Sequence, residues 1–323
     1  MVDRAGPSGG GIAVEEVLVA ERPRLVGLAY RITGSRLDAE DIVQDAWERA
    51  RRAGDVDRPA AWLTTVVARL AFDHLRSAHR RRESYVGPWL PEPIVTGRPE
   101  GTVAAGTGRP GAAAGAATGA APDPGELAEL ADSLTFGFLR VLEALSPVER
   151  VVFVLADVFG TPFSEIAEVV GRSPDACRQV ASRARARVRD AGRRGRAPAD
   201  AARVADDLVA ALAAGDADRV VALLAPDVVV VSDGGAATKA ARRPVVGRDR
   251  VLRLLLHLMR RGLEEDLRFE RVELNRDPGV LLLAGDSVAY AAAIEVRGEA
   301  VGAVHIVANP EKLAALRLAG GVA

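Results

Sequence analysis

The chain has 323 residues, enough for two or three domains, and its hydrophobic share of 49% and charged share of 27% are typical of a globular protein. Its formal net charge of -1 favours no partner class, and its single cysteine, Cys177, excludes an intrachain disulfide framework and a cysteine-built zinc site, so no metal or cofactor is predicted. The amino terminus lacks a secretory signal pattern and no apolar run approaches roughly 18–20 residues, which predicts a cytoplasmic protein without a membrane partner.

The first predicted unit is helical from about Val14 to Arg82. Within it, residues 38–48 form an amphipathic helix with an apolar inner face and an acidic outer face, and a solvated acidic surface explains the outer face by itself. A second helix starts at Pro59 with apolar and aromatic residues and ends in arginines. Such an end suits contacts with phosphates and unstacked bases, although the helix macrodipole alone also favours basic residues there.

A linker is predicted at residues 85–125, because Gly, Ala, Pro and Thr dominate this stretch and cannot bury enough apolar surface to order it. Its beginning differs. From Tyr85 to Ile94 aromatic residues alternate with prolines, which predicts an extended segment that docks on another surface.

Two short helices with a tight turn are predicted between Thr161 and Asp190. Thr161 is placed to cap the first helix, Gly171 to end it, and Ser173 to cap the second. The second helix combines a buried stripe with an outward face of arginines. This pattern is typical of a helix-turn-helix that lies in a DNA major groove, and the alternative is a helical hairpin with a solvated arginine face.

The remaining residues predict a separate α+β domain. The expected helices and strands follow one another in the order helices 200–214 and 216–224, strand 228–231, helix 251–261, and strands 267–274, 280–284, 287–295 and 300–307.

Four segments stand in a distinctive order before the helix-turn-helix. They are LVGLAYRITGS at 25–35, DAEDIVQDAWERA at 38–50, PAAWLTTVVARLAFDHLR at 59–76 and LEALSPVERVVFVLADVFG at 142–160. Over about residues 14–192 this order resembles bacterial sigma factors of the extracytoplasmic-function class. The resemblance implies two all-α domains, sigma region 2 at 12–84 and sigma region 4 at 126–196, joined by the linker at 85–125.

The resemblance also implies partners and residue roles. The partners are promoter DNA and core RNA polymerase, bound through the clamp helices of its largest subunit and through its flap. Contacts with the polymerase are assigned to Asp38, Asp41, Gln44, Asp45 and Glu48. Recognition of the minus-ten element is assigned to Trp62, Arg69, Asp73, His74, Arg76 and Arg80. Recognition of the minus-thirty-five element is assigned to Ser173, Pro174, Asp175, Arg178, Gln179, Ser182, Arg183 and Arg185.

Residues 200–323 look like a cone-shaped SnoaL-like domain, as found in one subgroup of these sigma factors. The third glycine of that subgroup's Asp-Gly-Gly-Gly-Lys loop is missing here, and Lys239 stands further from the glycines. Our preferred hypothesis is a regulatory domain that packs on the linker and on both sigma domains and replaces a separate anti-sigma protein. The expected interdomain contacts are Tyr85, Pro88, Trp89, Asp233, Gly234, Gly235, Lys239, Asn309, Pro310, Lys312 and Leu313.

Two other classes stay open from the residues alone. One is a one-component repressor, in which the helix-turn-helix binds an operator and residues 200–323 sense a metabolite. The other is a SnoaL-like enzyme with a DNA-binding appendage, for which Asp233, His257 and His305 are the candidate acid or base residues. We expect no enzyme activity and assign no catalytic residue, and whether a small ligand enters the carboxy-terminal domain is left open.

Overall fold

The computed structural model describes residues 14–53, 56–82, 85, 87–98, 135–192, 200–238 and 240–316. The predicted domain boundaries at residues 12, 84, 125, 126, 196 and 323 lie outside this description. So do Lys239 and the side chain of Arg80, both of which were assigned roles from the sequence.

Three helices open the described chain: α1 (Val14–Thr33), α2 (Arg36–Ala50) and α3 (Pro59–Arg82). Ser35 caps α2, because its hydroxyl accepts the backbone N–H of Asp38 at 3.2 Å. Aliphatic side chains on the facing sides of the three helices form a buried core, as their helical periodicity predicts.

A second helical unit follows the linker, and it consists of α4 (Phe136–Glu143), α5 (Pro147–Phe153), a π-helical turn (Val154–Val158), α6 (Phe163–Val170) and α7 (Pro174–Gly192). Ser146 and Glu149 form a reciprocal capping box that fixes the start of α5. The buried side chains of this unit belong to the same core as those of α1–α3, so the two helical units are packed together.

Helices α6 and α7 form the predicted helix-turn-helix. Gly171 ends α6 at φ 67°, a conformation that glycine adopts without strain, and the Ser173 hydroxyl accepts the N–H of Ala176 at 3.2 Å. The expected cap at Thr161 is wrong. Pro162 occupies the N-cap position without a side-chain cap, and the backbone N–H of Thr161 bonds back to Leu155 O at 2.9 Å.

The carboxy-terminal part has the predicted α+β architecture. Its elements are α8 (Ala201–Ala214), α9 (Ala217–Leu223), β2 (Leu224–Asp233), β3 (Val245–Val246), α10 (Arg248–Glu264), β4 (Arg268–Leu274), β5 (Asp277–Ala284), β6 (Ser287–Arg297), β7 (Ala300–Val307), α11 (Pro310–Leu313) and a 3-10 turn (Ala314–Leu316). The ends of these elements differ by up to several residues from the sequence-based bounds, and β3 was not predicted.

The sheet also takes a strand from the linker, β1 (Val95–Gly97). The strand order is β1-β4-β5-β6-β7-β2-β3, and every pair is antiparallel except β2 with β7. The expectation of a flexible linker is therefore wrong at Val95–Gly97, because a glycine- and threonine-containing stretch gains its hydrogen bonds from the edge of a folded sheet. Residues 99–134 lie outside the described part of the chain.

The two faces of this sheet bury different partners. On β2, Val228 and Val230 pack with the domain's own helices α8 and α10, whereas Val229 and Val231 point to the opposite face. The cluster on that opposite face includes Leu90 of the linker and residues of the second helical unit such as Phe136. The sheet thus lies between its own helices and the rest of the protein.

Candidate functional site

The recognition surface predicted on α7 is largely open. The exposed members of the predicted set are Ser173, Pro174, Asp175, Arg178, Gln179, Ser182 and Arg183. Arg178 pairs with Asp175 at 2.5 Å on the helix surface, while Arg185 is half-buried and pairs with Asp157 at 2.6 Å. Helix α7 therefore offers one continuous polar surface, from which Arg185 is partly withdrawn.

The acidic surface predicted on α2 is also in place. Asp41, Gln44, Asp45 and Glu48 are exposed side by side on this helix. Asp38 is half-exposed, and its Oδ2 lies 3.1 Å from His74 Nε2 on α3. The structure thus brings together two residues to which the sequence assigned different partners, Asp38 for the polymerase and His74 for the minus-ten element.

The predicted minus-ten helix, α3, lies against the second helical unit. Arg69 donates a hydrogen bond through Nη2 to the backbone oxygen of Glu168 on α6 at 2.8 Å. Just before α3, Arg58 pairs with Glu165 at 2.9 Å. Trp62 is half-buried in the shared core. The helix-turn-helix unit therefore engages part of the surface predicted to read the minus-ten element, although the Arg69 side chain remains exposed.

The other predicted minus-ten residues lie further along α3. Asp73 and Arg76 are exposed, and the Arg76 guanidinium lies 5.6 Å from the centre of the Phe72 ring. Both side chains are accessible on the surface of α3.

The contact between the helical units contains a buried arginine that the sequence did not single out. Arg150 on α5 is 1% exposed, donates through Nε to Arg31 O at 2.9 Å, and pairs with Glu143. Arg31 is itself buried, and burial lowers the pKa of its guanidinium to about 10. The guanidinium groups of Arg24 and Arg31 lie over the Phe159 ring at 5.7 and 5.5 Å. This contact is polar at its most buried point.

Asp233, at the end of β2, is the centre of the interdomain contacts. Its side chain is fully buried and accepts hydrogen bonds from Leu90 N at 2.8 Å, Gly235 N at 3.1 Å and Tyr85 OH at 2.5 Å. The Lys312 ammonium pairs with the same carboxylate at 2.7 Å. A buried carboxylate needs such compensation, since an unpaired charge in the interior is strongly unfavourable.

Lys312 and Asn309 hold the same part of the linker from the other side. The Lys312 ammonium also donates to Leu90 O and lies 3.7 Å from the centre of the Trp89 ring. Asn309 Nδ2 donates to Tyr85 OH at 3.0 Å. Burial, followed by the hydrogen bond to Asp233, raises the pKa of Tyr85. We call Asp233, Asn309 and Lys312 the linker site.

The other predicted interdomain residues surround the linker site. A Cβ on Gly235, which has φ 60°, would lie 2.9 Å from the Asn309 amide, so only glycine fits there. Gly234 is equally restricted, by Thr238 O at 2.5 Å. Leu313 is buried in the cluster with Leu90. Pro310 is exposed in the first turn of α11, and Pro88 is half-buried.

A second attachment, between the linker and α1–α2, was missed from the sequence. Glu92 is buried, and its carboxylate accepts the backbone N–H groups of Arg36 and Leu37 at the start of α2. Burial raises the pKa of Glu92, and these backbone hydrogen bonds oppose the rise. The hydroxyl of Tyr30, a fully buried residue, donates to Glu92 O at 2.6 Å and accepts from Asn275 Nδ2 at 2.9 Å. No local sequence signal identifies these residues, because their partners are far away in the chain.

The second helical unit docks on the sheet through Asp277. Asp277 is 3% exposed and accepts the N–H of Phe136 at 2.8 Å, at the start of α4. Burial raises the pKa of Asp277 to about 7, and the charge of Glu295 adds to the rise. His305 stacks on Phe136 at 5.4 Å and lies 3.4 Å from Glu295.

The three candidate acid or base residues do not converge. Asp233 is engaged by the linker, and His305 packs on Phe136 on the same side of the sheet. His257 is exposed on α10, at the rim of a cavity on the opposite side. Within the described ranges, no group of three or more His, Cys, Asp or Glu side chains is placed to hold a metal ion, and no helix is long and apolar enough to span a membrane.

Comparison with known proteins divides the chain in three. The Sigma-70 region 2 family matches residues 18–81, the Sigma-70, region 4 family matches residues 136–188, and the SnoaL-like domain family matches residues 205–312.

Two relatives from Mycobacterium tuberculosis are similar over most of the chain. ECF RNA polymerase sigma factor SigJ is 45% identical over 245 residues, 75% of this chain and 72% of the relative. The probable ECF RNA polymerase sigma factor SigI is 32% identical over 309 residues, 94% of this chain and 96% of the relative. The crystal structure of SigJ matches with a TM-score of 0.69 at 37% identity, covering 94% of this chain and 98% of that one.

Replacing Asp233 with asparagine is expected to destabilise the fold. Asparagine keeps one acceptor oxygen but leaves the Lys312 ammonium buried without its counter-charge, and breaking such a pair removes about 3–5 kcal/mol from the free energy of unfolding. Urea denaturation of the full chain measures this change. Asp206→Asn, which breaks an exposed pair with Arg271, is the matched control with a change below about 1 kcal/mol. Equal changes in the two variants would contradict the compensation assigned to Asp233.

Asp277 is expected to make stability depend on pH. Because its pKa is higher in the folded protein, about 7, than in the unfolded chain, its stabilising contribution is complete below about pH 4 and is lost as the pH rises to about 7. In urea denaturation, Asp277→Asn should flatten the decline of the unfolding free energy across this range. Asp286→Asn, at an exposed turn, should follow the wild-type profile. Parallel profiles for the wild type and Asp277→Asn would refute the assignment.

Proposed function

The chain belongs to the extracytoplasmic-function RNA polymerase sigma factors, and we propose that its SnoaL-like domain controls its activity by holding the two sigma regions in a closed arrangement. The activity is that of a sigma factor, which binds core RNA polymerase and directs transcription initiation from promoters. In the closed arrangement α3 lies on α6, and the linker segment, residues 85 and 87–98, is bound to the sheet.

Core polymerase is assigned to the acidic face of α2. Asp41, Gln44, Asp45 and Glu48 project together from one side of a helix whose other side is buried, so they can meet a basic partner without unfolding. We place the clamp helices of the largest polymerase subunit on this face, with Asp38 at its edge, and assign the flap to region 4. Charge complementarity on such a face increases the association rate and fixes the orientation of binding.

Promoter DNA is assigned to α3 and α7, which face different tasks. Minus-ten recognition requires bases to leave the stack, at a few kcal/mol per step, and Trp62, Arg69, Asp73, His74, Arg76 and Arg80 supply stacking, polar and charged groups along one helix. Minus-thirty-five recognition is duplex readout. Exposed Arg178, Gln179, Ser182 and Arg183 suit base edges and phosphates in a major groove, with Ser173, Pro174, Asp175 and Arg185 around them.

The contact of α3 with α6 carries the regulatory part of the proposal. Arg69 donates a hydrogen bond to Glu168 O and Arg58 is paired with Glu165, so groups next to or within the surface assigned to the minus-ten element are engaged by the helix-turn-helix unit while they remain exposed. In the proposed cycle this contact opens when the linker segment leaves the linker site. A fused domain with this action makes a separate anti-sigma protein unnecessary.

The one-component repressor is not favoured, because residues 18–81 match a sigma region that a repressor does not need. Sigma factors are not enzymes, and we propose no catalytic role for the SnoaL-like domain, because Asp233 is engaged by the linker, His305 packs on Phe136, and His257 lies on the opposite side of the sheet.

The first test is promoter-dependent transcription with purified core polymerase of the source organism. Reversing two charges on α2, Asp41→Arg with Asp45→Arg, should abolish co-purification with core polymerase and the promoter-specific transcript, because the acidic face then repels a basic partner. The matched control is Asp218→Arg, an exposed position of the SnoaL-like domain. Normal transcription by the double variant would refute the assignment of α2, and no transcript from the wild-type chain or from chains shortened before residue 200 would refute the function.

The second test concerns the recognition helix. Arg178→Ala should weaken binding to the minus-thirty-five element by about 1–3 kcal/mol if the side chain contacts a base edge, a loss of roughly 5- to 150-fold. Binding of the polymerase complex to a promoter selected by the wild-type factor measures this loss. Arg187→Ala, on the same helix but outside the residues assigned to the minus-thirty-five element, should bind nearly normally. An unchanged promoter preference of Arg178→Ala would show that Arg178 is a solvated surface residue that does not read the promoter.

The third test concerns the closed arrangement. At limiting factor concentration and a temperature where the variant remains folded by circular dichroism, Asp233→Asn should increase promoter-dependent transcription, because a weaker linker site raises the population of the open form. Asp206→Asn should not increase it. Transcription that is unchanged or lower for Asp233→Asn, at normal affinity for core polymerase, would contradict control by the linker site.

A further inference from the structure

The SnoaL-like domain contains a cavity of about 400 Å³ on the side of the sheet away from the sigma regions. It lies between α8, α10 and strands β2, β4, β5, β6 and β7, and its walls are mainly aliphatic and aromatic. Representative wall residues are Leu208, Leu212, Leu255, Phe269, Ile294 and Ile306. Its volume falls within the range of about 300–1,000 Å³ that is usual for pockets that bind small molecules.

We propose that this cavity binds a neutral, largely apolar small molecule with one hydrogen-bonding group, and that its occupancy strengthens the hold of the linker site on the linker segment. The binding part stands by itself, and the coupling part rests on the proposed closed arrangement. The sequence could not identify the walls of this site, because the lining residues come from two helices, five strands and the segments between them.

The polar groups of the cavity define the ligand's chemistry. Ser232 is a buried polar residue of the wall at 6% exposure, and its hydroxyl has no hydrogen-bond partner within the described part of the chain. At the rim, Arg261 is paired with Glu265 at 2.7 Å, and His257 is exposed. A charged ligand would lose its hydration without gaining a buried counter-charge, whereas a hydroxyl or carbonyl group can bond to Ser232.

The coupling follows from the alternation of side chains along the strands. Ser232 faces the cavity and the next residue, Asp233, binds the linker segment from the other face of the sheet. Ala308 lines the cavity in the same way, and the next residue, Asn309, holds Tyr85. At the end of β2 and again after β7, one residue therefore lines the cavity and the next residue belongs to the linker site.

The sign of the coupling follows from the state in which the cavity is formed. In the closed arrangement the cavity is present and the linker segment is bound at the same time. A ligand that packs against Ser232 and Ala308 stabilises the backbone positions that the linker site needs. By thermodynamic reciprocity, the bound linker segment then raises the affinity of the cavity for its ligand.

The binding part is tested with N-phenyl-1-naphthylamine, a neutral apolar compound whose fluorescence rises in apolar surroundings. The full chain should bind it with saturation at one molecule per chain. Ala292→Phe places a ring in the cavity and should reduce the affinity at least tenfold, while Ala284→Phe, at the exposed end of β5, should leave it unchanged. If Ala292→Phe does not fold, Ala292→Leu replaces it. No saturable binding, or equal affinity of the filled and control variants, would overturn the site.

The coupling part is tested by amide hydrogen exchange at Leu90, whose N–H donates to Asp233. Saturating N-phenyl-1-naphthylamine should slow this exchange in the wild type, and Asp233→Asn should bind the compound more weakly. Unchanged exchange at Leu90 with a filled cavity would overturn the coupling. Neither measurement uses polymerase or promoter DNA, so a failure here is distinguishable from a failure of the sigma-factor function, which transcription reports.

Discussion

The arrangement of the whole molecule depends on the buried carboxylate of Asp233. A fully buried charge is tolerated only when it is paired and hydrogen-bonded, and the groups that compensate it come from distant parts of the chain. Tyr85 and Leu90 approach from the linker, and Lys312 approaches from α11. When the linker segment leaves the sheet, Asp233 loses the hydrogen bonds from Tyr85 and Leu90, and this loss favours the bound position of the segment. Because the linker connects the two sigma regions, their separation is restricted at the same point.

Two further buried carboxylates, Glu92 and Asp277, attach the helical units to the linker and to the sheet. Glu92 joins the linker to α1–α2 through backbone N–H groups, and Tyr30 and Asn275 complete the contact. Asp277 joins the sheet to α4 through the N–H of Phe136. Burial raises the pKa of both Glu92 and Asp277, and backbone N–H groups oppose the rise in each case. Neither carboxylate has an ion pair among the described contacts, whereas Asp233 is paired with Lys312.

Local signals made the helix-turn-helix predictable, whereas contacts between residues far apart in the chain could not be predicted. Gly171 and Ser173 define helix ends through their own backbone and side chain, so sequence alone identified both. The prediction of a cap at Thr161 was wrong because the next residue, Pro162, takes the N-cap position. Strand β1, Glu92 and Arg150 depend on partners far away in sequence, and nothing local distinguishes them. The linker site was named only through resemblance to a family, since a lone aspartate before two glycines otherwise predicts a turn.

The direct contact between the sigma regions is suited to opening. Its surface ion pair, Arg58 with Glu165, is partly exposed, and such pairs contribute little free energy. At its buried centre Arg150 is only partly satisfied, because its Nη2 has no hydrogen-bond partner among the described residues. Separation would let water reach this group, which offsets part of the apolar area that becomes exposed. In the proposed cycle, the balance between closed and open forms is then set less by the contact between the sigma regions than by the linker segment on the sheet of the SnoaL-like domain.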